Sequence, residues 1–131
     1  MQFYFHDKVS GQNVTAVEVT HSPSTKSSPT FFRSVVVIDD LLTEGLEPTS
    51  KLLGRAQGLY ALASQEDLQL LMAVTYVFQS GEFNGSTLAV VGHNAVFNEV
   101  REMRDVQDGS RIRPRTHTLL RHQGWECDCP L

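Results

Sequence analysis

Leu68-Gln69-Leu70-Leu71-Met72-Ala73-Val74-Thr75-Tyr76-Val77-Phe78 is the stretch on which the fold turns. Leu, Met and Ala suit a helix as well as a strand, so residue type alone leaves it open. The period decides it. Leu68, Leu70, Met72, Val74, Tyr76 and Phe78 make one wholly apolar face at a spacing of two, while Gln69, Thr75 and Gln79 fall on the other. That is a half-buried strand. Ser80-Gly81-Glu82-Phe83-Asn84-Gly85 follows as a hairpin connection containing Asn-Gly, a strong short-range turn signal. Ser86 to Val91 then returns as the next strand.

Upstream the pattern repeats. Leu59-Tyr60-Ala61-Leu62-Ala63 reads as a strand behind Gly54-Arg55-Ala56-Gln57-Gly58. Val35-Val36-Val37-Ile38 is a β-branched run closed by Asp39-Asp40. A loop through Thr43-Glu44-Gly45 leads on to Pro48. Thr15 to Thr20 alternates with a period of two, and Phe3-Tyr4-Phe5-His6-Asp7 is a short aromatic strand ending in turn formers. Ser22 to Thr30, with Pro23, Pro29 and four serines, reads as an exposed loop. Six strands at short spacing and no convincing long helix point to an antiparallel barrel or sandwich.

Composition agrees with one ordinary domain. The 131 residues are 40% hydrophobic and 20% charged, with a formal charge of -4, which argues against a broad basic surface for nucleic acid. No run reaches the roughly 18 to 20 apolar residues of a membrane span, and Met1-Gln2-Phe3-Tyr4 has neither the basic nor the apolar region of a signal peptide. From Arg104 onward the period of two disappears and arginines gather. Residues 1–103 hold six basic and eleven acidic side chains, whereas residues 104–131 hold five and four. The sequence therefore divides into a domain over 1–103 and a divergent Arg-rich tail over 104–131.

No phosphate-binding glycine loop or nucleophile elbow is present. His117, His122, Cys127 and Cys129 do not have the spacing of the common zinc pairs, so no metal is expected. Asn13-Val14-Thr15 and Asn84-Gly85-Ser86 are glycosylation sequons in turns. The acidic residues Asp7 and Asp39-Asp40 end strands. Most such residues are simply solvated, but beside an apolar cavity a carboxyl group has a raised pKa and acts as a general acid.

Taken in order, Phe3 to Asp7, Val35 to Asp40, Leu42-Thr43-Glu44, Gly54 to Tyr60, Tyr76-Val77-Phe78, Glu82 to Leu88 and Val100-Arg101-Glu102-Met103 resemble the plant dirigent proteins. The likeness runs over residues 2–103. It implies an all-β, dirigent-type (allene oxide cyclase-like) barrel of eight antiparallel strands, associated as a homodimer or homotrimer. It also implies a secreted, apoplastic glycoprotein carrying glycans at Asn13 and Asn84. Such proteins are non-oxidative guides that use no cofactor. A laccase or peroxidase makes phenoxy radicals from monolignols such as coniferyl alcohol, and the dirigent protein orients two of them so that one lignan enantiomer forms. In some members pocket carboxylic acids assist cyclisation of the quinone methide.

Carried over by motif, Asp7 takes the acid role and Arg101 a charge-stabilising or phenol-orienting role. Phe5, Asp39, Tyr60 and Asn94 are the expected substrate-binding residues. Asn94 stands where lignan-forming members carry a second aspartate. The tail departs from the family's last two strands, so the barrel is expected to be incomplete at its C-terminus, as after a frameshift or missed splice site. Two other readings follow from these features: a noncatalytic carbohydrate or defence module, and a nonfunctional fragment.

Overall fold

The computed structural model describes residues 2–20, 22–98, 100–105, 117–121 and 124–127, the last three stretches as strand backbone. Among these described residues nine strands form one antiparallel sheet: β1 (Tyr4–His6), β2 (Ala16–Thr20), β3 (Val35–Thr43), β4 (Leu52–Leu62), β5 (Gln69–Phe78), β6 (Thr87–Ala95), β7 (Val100–Asp105), β8 (His117–Arg121) and β9 (Gly124–Cys127). Eight run in the order β1-β3-β4-β5-β6-β7-β8-β9, and β2 also pairs with β3. β1 covers Leu41 to Thr43 and β2 covers Val35 to Ile38, so the two share one flank of β3 end to end. The sheet curls until β9 comes back beside β1, giving the all-β barrel-like architecture that the alternation implies. No helix among the described residues is long and apolar enough to cross a membrane.

Register carries the inner face from strand to strand. Ile38 lies opposite Gly58, Gly58 opposite Val74, and Val74 opposite Val90. Side chains alternate along each strand, so one buried position fixes the parity of the whole sheet. β5 packs Met72, Val74, Tyr76 and Phe78 inward, all at most 3% exposed, which is the face that its period of two selects. At one end of the barrel Phe3, Leu42, Phe78 and Leu88 are each 0 to 1% exposed and seal it. There Phe3 meets Tyr76 edge to face with ring centroids 5.1 Å apart, and meets Phe78 at 5.8 Å. Each such contact adds roughly 0.5–1.5 kcal/mol to the burial of the rings themselves. We call this end the base. The ends of β4, β5 and β6 at Leu62, Gln69 and Ala95 mark the mouth.

Three strands run further than residue type suggests. β3 does not close at Asp39-Asp40 but continues to Thr43, because the pairing with β1 and β4 satisfies the backbone on both sides of the two aspartates. β4 runs through the glycine block and begins at Leu52. β6 extends past Val91 to Ala95. The glycines are there for space. A Cβ on Gly54 would lie 2.0 Å from the Val77 carbonyl oxygen, and one on Gly58 would lie 2.1 Å from that of Ala73. The sheet curls too tightly between β4 and β5 to hold side chains at those positions.

The expectation of a tail without strands is corrected. β7 continues to Asp105, and β8 and β9 extend the sheet from residues inside the 104–131 segment. Strands of five and four residues are too short to display a period, which is why alternation does not reveal them. The Ser22–Thr30 loop is likewise less exposed than its composition suggests. Thr25–Ser27 forms a 3-10 turn, and Thr25 and Thr30 are only 2% and 5% exposed. Thr30 Oγ1 donates to the Ser64 carbonyl at 2.7 Å, tying this loop to the mouth.

Candidate functional site

The two adjacent aspartates of β3 must face opposite ways. Asp40 shares the parity of Val36, Ile38 and Leu42 and points into the barrel, 0% exposed. Asp39 points out. Its Oδ1 accepts from Arg55 Nε at 2.5 Å and from Gln57 Nε2 at 3.2 Å, while Arg55 Nη2 donates to the Asp39 carbonyl at 2.7 Å. The polar residues of the Gly-Arg-Ala-Gln-Gly block thus clamp β3 to β4 on the outer surface. Its small residues line the interior. Asp39, expected at the substrate site, stands instead on the outer face in an ion pair, with its carboxyl held below the usual range chiefly by the Arg55 hydrogen bond.

Asp40 has company inside. β1 ends with His6 opposite Leu41, so the following residue, Asp7, comes level with Asp40. The Tyr60 hydroxyl, from β4, donates a hydrogen bond to Asp7. Phe5, 9% exposed, lies on the same inner face of β1. The structure therefore brings Asp7, Tyr60 and Phe5 to one region around Asp40.

Burial governs the electrostatics there. Loss of solvent is the first cause that pushes the Asp40 carboxyl up, to about 7, and the charges of Asp7 and Asp39 push the same way. The Thr15 hydroxyl and Arg55 offset part of this. Among the described residues, neither Asp40 oxygen has a protein partner in good hydrogen-bond geometry. Asp7 is solvent-accessible, yet its carboxyl is also raised by desolvation, with the Tyr60 hydrogen bond pulling it back. Burial and the two carboxylates raise the Tyr60 hydroxyl, so it stays a donor. The result is a carboxylic acid that keeps its proton near neutrality, beside a second carboxyl that stays in contact with water.

Around the acid the wall is apolar. Ile38, Val74, Tyr76 and Val90 are 0 to 3% exposed and share its inner surface. Ala56, Gly58 and Gly92 fall on the same inward parity and put no bulk there. Nearer the mouth, Asn94 is 4% exposed, and its Nδ2 donates to Met72 Sδ at 3.1 Å. It stands two strands from Tyr60, on the far side of Met72. Arg101 belongs to β7, opposite Leu120, and its side chain lies outside the described part.

The sequence reading weighed Asp39 and Asp40 together as strand-end acids and placed Asp39 at the site, whereas the one turned inward is Asp40. Residue type does not separate the two, because Val35, Val37 and Leu41 on the face of Asp39 are as apolar as Val36, Ile38 and Leu42 on the face of Asp40. Of the other singled-out positions, Asn13 and Asn84 are both exposed in turns, with Asn13 at φ 55°. His6 Nε2 donates to Thr43 Oγ1 at 2.7 Å, since that hydroxyl gives its own hydrogen to the Gly45 carbonyl. No group of three metal-ligating side chains occurs among the described residues, and His122 and Cys129 lie outside them.

Four likenesses to known proteins bear on this site. A family model described as dirigent-like protein matches residues 1–106. Dirigent protein 23 of Arabidopsis thaliana is 48% identical over 125 residues, which is 95% of this chain and 67% of that protein. Pterocarpan synthase 1 of Glycyrrhiza echinata is 45% identical over 104 residues, covering 79% of this chain and 55% of that one. The solved structure of a pterocarpan synthase dirigent protein superposes with a TM-score of 0.82 at 38% identity, over 97% of this chain and 86% of that one. The chain spans between about half and two thirds of the length of the curated relatives it matches.

Proposed function

The chain belongs to the dirigent family, and from that membership we propose that it guides the coupling of phenoxy radicals, made from monolignols such as coniferyl alcohol by a separate laccase or peroxidase. The observation that carries this reading is Asp40, a buried acid on an apolar wall with Asp7 and Tyr60 beside it. The apolar interior takes the aromatic rings and excludes water. Fixed orientation of the two radicals removes the encounter geometries that would give the other enantiomer. The protein needs no oxidative centre for this, because its part is positional.

The acid serves the following step. Asp40 gives its proton to the carbonyl oxygen of the quinone methide as a hydroxyl of the same intermediate closes on the methide carbon. The hydroxyl proton passes to the ionised Asp7. The pair has then exchanged one proton and returns through water at the exposed Asp7. Tyr60 holds Asp7 in place, Phe5 lines the ring-binding wall, and Arg101 orients a phenol oxygen. Asn94 binds without donating as an acid, so this pocket has its acids on one side only.

The test is a coupling assay. Coniferyl alcohol and a laccase are run with and without the protein, and the lignan is resolved on a chiral column. An enantiomeric excess that falls to a racemate with Asp40→Asn is the expected result; a racemate from folded wild-type protein overturns the reading. The similarity to pterocarpan synthases favours a second one, formation of a pterocarpan in the same barrel. Pterocarpan production without added oxidase, lost in Asp40→Asn, would select it.

The protein acts outside the cell, with glycans on the exposed Asn13 and Asn84, and as a homo-oligomer. The outer face supports the last point. Val17, Val37, Leu59 and Val91 are 40–54% exposed and follow one another across β2 to β6 through Ala73. A continuous apolar row of this kind is covered by a second copy. Leu59→Lys is expected to convert the oligomer to monomer in light scattering without lowering the Tm of the monomer. A wild-type protein that is monomeric at the same concentration would refute the assembly.

A further inference from the structure

A second compartment lies at the base of the barrel, on the far side of the sealing layer of Phe3, Leu42, Phe78 and Leu88. It is a cleft of about 330 Å³ between the β3–β4 loop and the β5–β6 hairpin. Its floor is Leu53, the edge of Phe78 and the half-buried Phe83, whose ring centroid is 6.2 Å from that of Phe78. Its rim carries Glu44, Lys51 and Glu82. The size is at the lower end of small-molecule sites, enough for one aromatic ring and a short tail.

The rim chemistry selects the tail. Lys51 lies 3.8 Å from Glu44, so one of the two carboxylates is already matched and Glu82 is the surplus negative charge. Ser80, also on the rim, donates its hydroxyl to the Leu52 carbonyl at 2.6 Å and has only lone pairs left to offer. The site thus combines an aromatic floor with acceptors and a net negative edge. We infer that this cleft binds a one-ring aryl-alkylammonium compound, with the ring on Phe83 and Leu53 and the ammonium at Glu82. The site does not depend on the reading of the barrel interior, from which it is separated by side chains 0 to 1% exposed.

Three ligands of nearly equal shape test it: 2-phenylethylamine, 2-phenylethanol and phenylacetate, followed by saturation-transfer NMR titration on the full chain. The amine is expected to bind about three- to ten-fold more tightly than the alcohol, and the acid more weakly than both, a spread that collapses in 1 M salt. Glu82→Gln, a surface change that leaves packing alone, removes the amine's advantage while the alcohol still binds. Phe83→Ala weakens all three by about ten-fold or more. Equal affinity for the three ligands overturns the proposal. So does binding that survives Phe83→Ala but is lost in Asp40→Asn, which would put the ligand in the barrel instead.

Discussion

Asp40→Asn is expected to stabilise the protein at pH 8 relative to pH 4 by about 4 kcal/mol while abolishing stereoselective coupling. A carboxyl that loses its proton near 7 in the folded chain and near 3.8 when unfolded binds an extra proton in the native state between those values. The contribution of this one group to stability is therefore most favourable below about pH 4, falls as pH rises through the window to about 7, and carries the full cost above it. Three pH units correspond to about 4 kcal/mol. Asparagine is neutral throughout, so any cost of burying its amide is the same at both pH values and cancels from the comparison. Urea denaturation of both proteins at pH 4 and pH 8 measures it. A difference that does not change with pH would mean that Asp40 ionises as freely as an exposed aspartate, and the acid role would fall with it.

The second large effect is expected at Gly54 and Gly58. Alanine at either position puts a methyl 2.0–2.1 Å from a backbone carbonyl oxygen of β5. Backbone cannot step aside without breaking the β4–β5 ladder, so each substitution is expected to cost about 3 kcal/mol or more, and both together to prevent folding. Gly81 and Gly85 supply the contrast. They lie at φ 75° and 81° with nothing within 4 Å of an added Cβ, so alanine there costs only the strain of the left-handed region, about 1 kcal/mol. Chemical denaturation of the four single variants separates close approach from backbone strain. A Gly58→Ala protein with an unchanged midpoint would show that the curl of β4 does not depend on that position.

Much of this barrel is written in its strands. Leu68 to Phe78 announces its inward face because a half-buried strand has to alternate; Thr15 to Thr20 alternates too, but there the apolar Val17 and Val19 stand on the outer face, 54% and 56% exposed, and the small Ala16 is the buried residue. The glycine block is recognisable as a motif, but its residue types read as a lead-in rather than as strand. Only the closeness of β5 explains why glycine and alanine, poor strand formers, stand in the middle of an eleven-residue strand. β8 and β9 fall below what a period can reveal, since each needs its neighbours to define a face.

The candidate site divides along the same line. Residue type by itself marks Asp7, Asp39 and Asp40 as polar groups at strand ends, and the family motif adds Tyr60. What the chain alone determines is that β3 carries one aspartate on each face. Which of the two becomes an acid was decided in three dimensions. Arg55 and Gln57, sixteen and eighteen residues away, reach Asp39 in the open and keep it ionised, whereas the walls of β1, β4 and β5 strip the water from Asp40. A pKa is set by the dielectric and the charges around a group, and those come from residues that are neighbours only after the sheet has curled.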